Sequence, residues 1–250
     1  MTRIELVLNE LKLYNSLTIT ELSNKFNVSE MTIRRDLEIL EQKGEIIRTK
    51  GGATYKSVFD LSFVDRKNKN IEQKHIISKL ATKLIDKGDS ILLDSSSTSY
   101  ILSNYLIDDI TVITNNLNIA NNLLNKKDIR VILLGGIIKN DSASIVGTDA
   151  LSILDKYYVD KAFISSKTIS IDGIVADSSQ EEGIMKQKFL EISEKKYLIA
   201  DSSKFDNRSF FKISNLSKFD TVITNYESDE KNNLIKSICD KSRVSYMSDN

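Results

Sequence analysis

The stretch Thr18–Ala53 (TITELSNKFNVSEMTIRRDLEILEQKGEIIRTKGGA) constrains the fold more than any other part of the chain. Thr18 and Glu21 stand three apart at the head of an apolar-periodic run. That is the spacing of a capping box, in which the threonine oxygen accepts from the N–H three residues on and the glutamate reaches back. Leu22 and Phe26 then share a helix face. Asn27 tolerates left-handed backbone and ends this short helix. Val28 plugs the turn and Ser29 caps the next helix, whose buried stripe is Ile33, Leu37 and Leu40, with Gly44 as its stop. Beyond it, EIIRTKGGA joins β-favouring Ile46 and Ile47 to Arg48, Lys50 and Gly51-Gly52, a doublet suited to a tight turn with positive φ.

Helix, turn, helix and a basic hairpin make a winged helix-turn-helix, so the expected partner is double-stranded operator DNA. Residues near the start of a recognition helix reach base edges. Ser29, Thr32, Arg34 and Arg35 are therefore candidate contacts, with Arg48 and Lys50 on the wing near backbone or minor groove. An arginine there can bridge guanine O6 and N7 or hold a phosphate. Asp36, which DNA would repel, is expected to orient a neighbouring arginine or cap a contact. The structural alternative is a small three-helix domain whose charges form a solvated face. An Arg-Arg pair alone favours that alternative; the run of caps, turn, stop and basic hairpin favours DNA.

The chain has 250 residues, 35 basic and 35 acidic, hence no net charge. Two domains are expected from the length. Residues 1–57 carry nine Lys/Arg against eight Asp/Glu. Basicity is thus local, at Lys43, Arg48, Lys50 and Lys56 against Glu45, and a homodimer or homotetramer placing two modules on one site would strengthen binding. The single cysteine excludes an internal disulfide and a cysteine-based zinc site; Cys239 reads as a small buried hydrophobe. The single histidine, His75, has no ligand company, so no metal is expected. No apolar run approaches the ~20 residues that span a bilayer, and no signal peptide precedes the first helix. A cytoplasmic location without membrane contact is expected. Proline is absent, leaving turns to Gly, Asn, Asp and Ser.

Residues 54–72 lack steady periodicity, which gives domains at 1–57 and 73–250 with a linker at 58–72, docked through Leu61 and Phe63. From Gln73 on, short apolar runs alternate with helical patterns. Strands are expected at 90–94, 111–114, 130–136, 161–165, 196–201, 221–225 and 243–247. Helices are expected through Ile76, Leu80 and Leu84 and near 98–107, 117–126, 180–193 and 230–240. Such alternation indicates an α/β domain with a mainly parallel sheet covered on both faces, and a ligand at the carboxyl ends of the strands. Polar clusters recur there: Asp94-Ser95-Ser96-Ser97-Thr98, Thr114-Asn115-Asn116, Gly135-Gly136 and Asp201-Ser202-Ser203-Lys204. Hydroxyls and N–H groups opening a helix cradle an anion. Each loop alone reads as an ordinary loop; together they fit a small phosphorylated, hydroxyl-rich molecule.

The full set of motifs resembles the DeoR family of bacterial transcriptional regulators over nearly the whole chain. VSEMTIRRDLEILEQKGEIIRTKGGA (28–53) matches its N-terminal hallmark. ILLDSSSTS, VITNNLNIA, VILLGG, VGTDA, DKAFIS, YLIADSSKF and DTVITN follow in the order of its sensor domain. The resemblance implies a sensor similar in fold to ribose-5-phosphate isomerase. By position it implies that Ser96, Ser97 and Thr98 hold phosphate while Asp94, Asn115, Gly135 and Lys204 line the sugar end. Glu182 and Lys186 match a charged pair of the family, and a surface i, i+4 pair is an equal account. Segment 173–186 departs from the family pattern by one extra residue and a missing small-hydroxyl run. The implied function is a repressor of a sugar uptake or catabolism operon, released from DNA by a phosphorylated sugar, with no catalytic residue and no cofactor. The competing reading is a sugar-phosphate isomerase carrying a DNA module, with Asp94, Asp177, Glu181 or Glu182 as general base. The acidic cluster such enzymes place in the pocket is missing. A third reading, an architectural DNA-binding protein without effector, fits the pocket-like second half poorly.

Overall fold

The computed structural model describes every residue except Met1, Asn15, Gly44, Lys50, 56–62, Asp108 and Asn250, and among the described residues the chain divides into two compact units, 1–65 and 66–250. The helix stop expected at Gly44, the wing contact at Lys50 and the docking residue Leu61 lie outside the described residues.

The first unit runs α1 (Arg3–Tyr14), β1 (Ser16–Thr18), α2 (Ile19–Phe26), α3 (Glu30–Gln42), β2 (Ile46–Thr49) and β3 (Gly52–Tyr55). Its local chemistry follows the sequence closely. Thr18 Oγ1 accepts from Glu21 N–H at 3.1 Å and Glu21 Oε2 accepts from Thr18 N–H at 2.7 Å, the reciprocal capping box. Asn27 adopts φ 50°, the left-handed cap, and Ser29 Oγ accepts from Thr32 N–H at 3.3 Å to open α3. Ile33, Leu37 and Leu40 are buried with Leu22 and with Val7 and Leu11 of α1. The strands pair antiparallel in the order β1-β3-β2. Gly52 does not have the positive φ expected of it. It is required for closeness: a Cβ would stand 2.2 Å from Leu17 O on β1.

The boundary between units falls inside α4 (Phe63–Asn68), and α5 (Ile71–Thr82) follows. The stretch read as an irregular linker is therefore helical over most of its described part. The second unit continues with β4 (Ser90–Leu93), α6 (Ser97–Tyr105), β5 (Ile110–Thr114), α7 (Leu117–Leu123), β6 (Ile129–Leu133), β7 (Ile137–Lys139), β8 (Ser144–Val146) and α8 (Thr148–Leu154). Next come β9 (Val159–Ile164), β10 (Thr168–Ile169), β11 (Ile174–Asp177), α9 (Gln180–Glu191), β12 (Ser193–Ile199), β13 (Phe211–Asn215), β14 (Thr221–Ile223), α10 (Asp229–Ser242) and β15 (Ser245–Met247).

Seven strands form one parallel sheet in the order β15-β14-β12-β9-β4-β5-β6. Side chains alternate between its faces. Ile91, Leu93, Tyr197 and Ile199 pack with Ile77, Leu102 and Ile119 from α5–α7. Leu92 and Leu198 pack on the other face with Leu154, Phe189 and Ile238 from α8–α10. Two antiparallel additions were not foreseen from sequence: the β7–β8 hairpin and the sheet β10-β11-β13. The strand order reverses between β4 and β9, and in open α/β sheets the ligand crevice lies at such a switch, beyond the carboxyl ends of the strands.

Candidate functional sites

In the first unit, α3 turns Ile33, Asp36, Leu37 and Leu40 inward and leaves Glu30, Met31, Arg34, Arg35, Glu38 and Glu41 exposed. Arg34 and Arg35 thus stand on the free face. Ser29 and Thr32 are tied to each other, Oγ to Oγ1 at 2.9 Å, in addition to the cap. Arg34 lies 3.7 Å from Glu30, and Arg48 lies 3.7 Å from Glu41, both at the surface. Asp36 does orient an arginine, but a distant one. It is buried and accepts both arms of Arg3, at 2.6 and 3.1 Å, which pins α1 to α3.

In the second unit, the cluster sits at the β4/β9 switch. Asp94 follows β4 and is fully buried. One oxygen accepts from Ser96 N–H at 3.2 Å and Ser99 Oγ at 2.5 Å; the other accepts from Ser165 N–H at 2.8 Å, beyond β9. The carboxylate thereby holds the Ser-rich loop against the neighbouring strand end. Ser96 caps α6, accepting from Ser99 N–H at 3.0 Å. Ser97 and Thr98 open the first turn, where backbone N–H groups have no partner within the helix. Asn115 is buried beyond β5 and donates to Ile145 O at 2.9 Å. Asn116 instead caps α7. Gly135 is exposed and a Cβ there would meet only Ile153 at 3.6 Å, so its conformation demands no glycine. The constrained member of the doublet is Gly136, with φ 148° and a Cβ position 2.7 Å from Val146 O on β8. Lys204 ends a short turn capped by Asp201, whose Oδ1 also accepts from Asn70 Nδ2 at 3.1 Å.

The structure brings Lys186, Asp177 and Glu182, which the sequence reading did not place among the effector-binding residues, to the same strand ends. Lys186 of α9 is buried, 2.6 Å from Asp177 and 3.5 Å from Asp94. Burial disfavours its charge, but Asp177, Asp94 and Glu182 outweigh burial and hold its pKa above the ordinary value. Burial likewise opposes ionisation of Asp177, and Lys186 outweighs it, holding that pKa below the usual range. Glu182 accepts from Ser144 Oγ at 2.9 Å. Glu182 and Lys186 are therefore interior charges with separate partners, not a surface pair. Segment 173–186 supplies all three of Asp177, Glu182 and Lys186.

A group of cations surrounds the same strand ends. Burial pushes the Lys167 pKa down to about 7, helped by the positive charges of Lys204, Arg66 and Lys186 against the pull of Asp177. Burial also pushes Lys74 down to about 8, with Lys204, Arg66 and Lys69 adding to the fall and Asp201 opposing it. Lys74 Nζ donates to Lys69 O at 2.6 Å and to Arg66 O, capping the end of α4. Among the described residues, four buried oxygens at these strand ends have no hydrogen-bond partner: Asn115 Oδ1, Ser166 Oγ, Thr168 Oγ1 and Thr224 Oγ1. Unpaired buried polar atoms cost free energy and are rare in folded proteins.

The remaining expectations are quickly placed. His75 shares a 2.7 Å hydrogen bond with Tyr105 and is a satisfied side chain. Cys239 is buried, and burial pushes its thiol up to about 12. No helix among the described residues is long and apolar enough to cross a membrane. A groove of about 780 Å³ lies elsewhere, at the amino end of β12 and beside β13, lined by Gln187, Glu194, Lys196, Ile213 and Phe219 among others. It has neither the buried unpaired oxygens nor the crowded cations of the strand-end cluster.

Comparison with known proteins gives two family matches. Residues 3–58 match the DeoR-like helix-turn-helix domain and residues 69–226 the DeoR C terminal sensor domain. An uncharacterized HTH-type transcriptional regulator of Bacillus subtilis, YulB, is 38% identical over 84% of this chain and 83% of its own length. The transcriptional repressor GlcR of the same organism is 36% identical over 89% and 87%. The lactose phosphotransferase system repressor of Staphylococcus epidermidis is 35% identical over 89% and 90%. Among solved structures, ribose 5-phosphate isomerase A of Methanocaldococcus jannaschii overlaps 55% of each chain at 16% identity, with a TM-score of 0.41.

Proposed function

Because the chain belongs to the DeoR family of DNA-binding transcriptional regulators, we propose that it represses a sugar uptake or catabolism operon and leaves its operator when a phosphorylated sugar binds the second unit. Arg34 and Arg35 enter the major groove, Ser29 and Thr32 fix the start of α3, and Arg48 and Lys50 meet the DNA backbone or minor groove. The first-turn N–H groups and hydroxyls of Ser97 and Thr98, with Lys204, take the phosphate. Asn115 and the loop at Gly135 face the sugar. Ser96 and Asp94 hold the loop in place. Lys167, Arg66 and Lys74 add positive potential. The protein acts in the cytoplasm as a homodimer or homotetramer, with residues 1–57 and 73–250 as the DNA-binding and sensing parts.

One observation carries the effector reading: desolvated cations and buried oxygens that lack partners recur along the carboxyl-end side of the parallel sheet. A phosphorylated polyol matches both, its anion meeting the cations and its hydroxyls the oxygens. The carboxylates that an isomerase would need as a base are engaged: Asp94 by three donors, Asp177 by Lys186, Glu181 by Lys139 and Glu182 by Ser144. A thermal-shift screen against phosphorylated sugars and their unphosphorylated parents tests the proposal. At least one phosphorylated member raises the melting temperature while its parent does not, and Lys204→Ala loses the shift. Equal shifts for both forms, or none for any, would overturn it.

A further inference from the structure

The first turn of α3 exposes a large apolar side chain where a DNA-reading helix is expected to be polar. Met31 is 62% exposed, the most exposed large hydrophobic side chain among the described residues of the first unit. A single exposed apolar side chain ordinarily needs no explanation; its neighbours give this one significance. Ser29 and Thr32 spend their hydroxyls on each other and on the cap. Glu30 accepts from Thr20 Oγ1 at 2.8 Å and faces Arg34. The polar groups beside Met31 are thus occupied within the unit. Tyr14, the other large side chain more than half exposed there, lies under the Lys25 ammonium at 5.1 Å.

Met31 and Arg35 are four residues apart and share the helix face opposite Ile33, Leu37 and Leu40. Four residues rise about 6 Å along a helix, close to two base-pair steps of about 3.4 Å each. The major groove offers one apolar group, the C5 methyl of thymine, which apolar side chains contact. An unbranched thioether adapts readily to such a contact.

We infer that Met31 reads a thymine methyl in the major groove, within about two base pairs of the base read by Arg35. The inference rests on the proposed placement of α3 and assigns part of the operator's sequence preference to an apolar contact.

The test is selection from a library of random duplexes with the full-length wild type, Arg35→Ala and Met31→Ala, followed by binding to the selected duplex with single thymines replaced by uracil. Uracil keeps the pairing and removes only the methyl. Wild type should enrich a thymine within two base pairs of the position that Arg35→Ala relaxes. Uracil there should weaken wild-type binding about fourfold, the worth of one buried methyl. Met31→Ala, a change at an exposed site that leaves the fold intact, should bind the thymine and uracil duplexes equally. Equal thymine-to-uracil ratios for wild type and Met31→Ala, or a wild type indifferent to uracil at every position, would overturn the inference while leaving the DNA reading standing. Failure of the wild type to enrich any sequence would remove the DNA reading itself, and the inference with it.

Discussion

The two candidate sites handle charge in opposite ways. On α3, Arg34 and Arg35 stand in solvent, Glu30 is a loose surface partner of Arg34 at 3.7 Å, and the buried stripe behind them is almost wholly apolar. At the strand ends of the second unit, Lys186, Asp177, Asp94 and Glu182 are all buried, and Lys167 and Lys74 titrate far below ordinary lysines. A surface that meets a polyanion keeps its cations hydrated and mobile until contact, and that contact weakens with salt. A pocket that distinguishes one small anion holds its charges in fixed positions at low dielectric, where each is worth more and each unpaired one costs more. The same residue types therefore give a tolerant exterior in one unit and a demanding interior in the other.

The largest expected effect attacks the interior. Asp177→Ala leaves the Lys186 cation buried with only the more distant Asp94 and Glu182 nearby, and removing one partner of a buried pair costs about 3–5 kcal/mol. Chemical denaturation should show that loss in the second unit. A change below about 1 kcal/mol would erase the contrast with the surface pairs. Next in size is Arg35→Ala, expected to weaken specific DNA binding by roughly 5- to 150-fold, the equivalent of about 1–3 kcal/mol, with an unchanged melting temperature. Fluorescence anisotropy on a selected duplex measures it.

A pH experiment sharpens the comparison further. The Lys167 pKa falls from its ordinary value to about 7 on folding. Between pH 7 and about 10 the unfolded chain holds a proton on this lysine that the folded chain has released, so stability rises with pH across that window and is flat with respect to Lys167 below it. An anionic effector favours the charged form, so its affinity should fall as pH rises through about 7. Lys167→Met should shrink both profiles to the part that Lys74, with its pKa lowered to about 8, supplies. Specific DNA binding through guanidinium groups, which are not deprotonated in proteins, should lack this dependence. The smallest effect is Glu30→Gln, which removes a surface partner of Arg34 and should shift stability by less than ~1 kcal/mol.

Much of the first unit was legible because its signals are local. The capping box at Thr18 and Glu21, the left-handed Asn27 and the Ser29 cap each act within four residues, and each took the form expected. α1 went unread although Val7 and Leu11 sit at helical spacing and Thr2 and Glu5 repeat the Thr-x-x-Glu cap, Thr2 Oγ1 accepting from Glu5 N–H at 3.4 Å and Glu5 Oε2 from Thr2 N–H at 2.7 Å. In the second unit, the parallel strands were legible as short apolar runs. The sheet β10-β11-β13 was not, because its strands are two to five residues long and β13 is distant in sequence from the other two. α4 hid for a similar reason: six residues, mostly polar, held at the end by a lysine eight positions past Arg66. The strand-end loops were found from their Ser, Asn and Gly content, and Asp94 ties Ser96 and Ser99 of its own loop to Ser165 beyond β9. Lys186 and Asp177 were missed as a pair because nine residues separate them and only the turn from β11 into α9 brings them to 2.6 Å. Lys167 gave no signal at all; its perturbation comes from charges brought near by folding.

DNA affinity measured across a panel of sugar phosphates at one fixed salt concentration tests the whole account most directly. At least one compound should lower the affinity of the wild-type protein for its selected duplex by about 100-fold, equivalent to about 2.7 kcal/mol of coupling, and Lys204→Ala should hold the same duplex with that compound present. Unchanged affinity with every compound in the panel would contradict it.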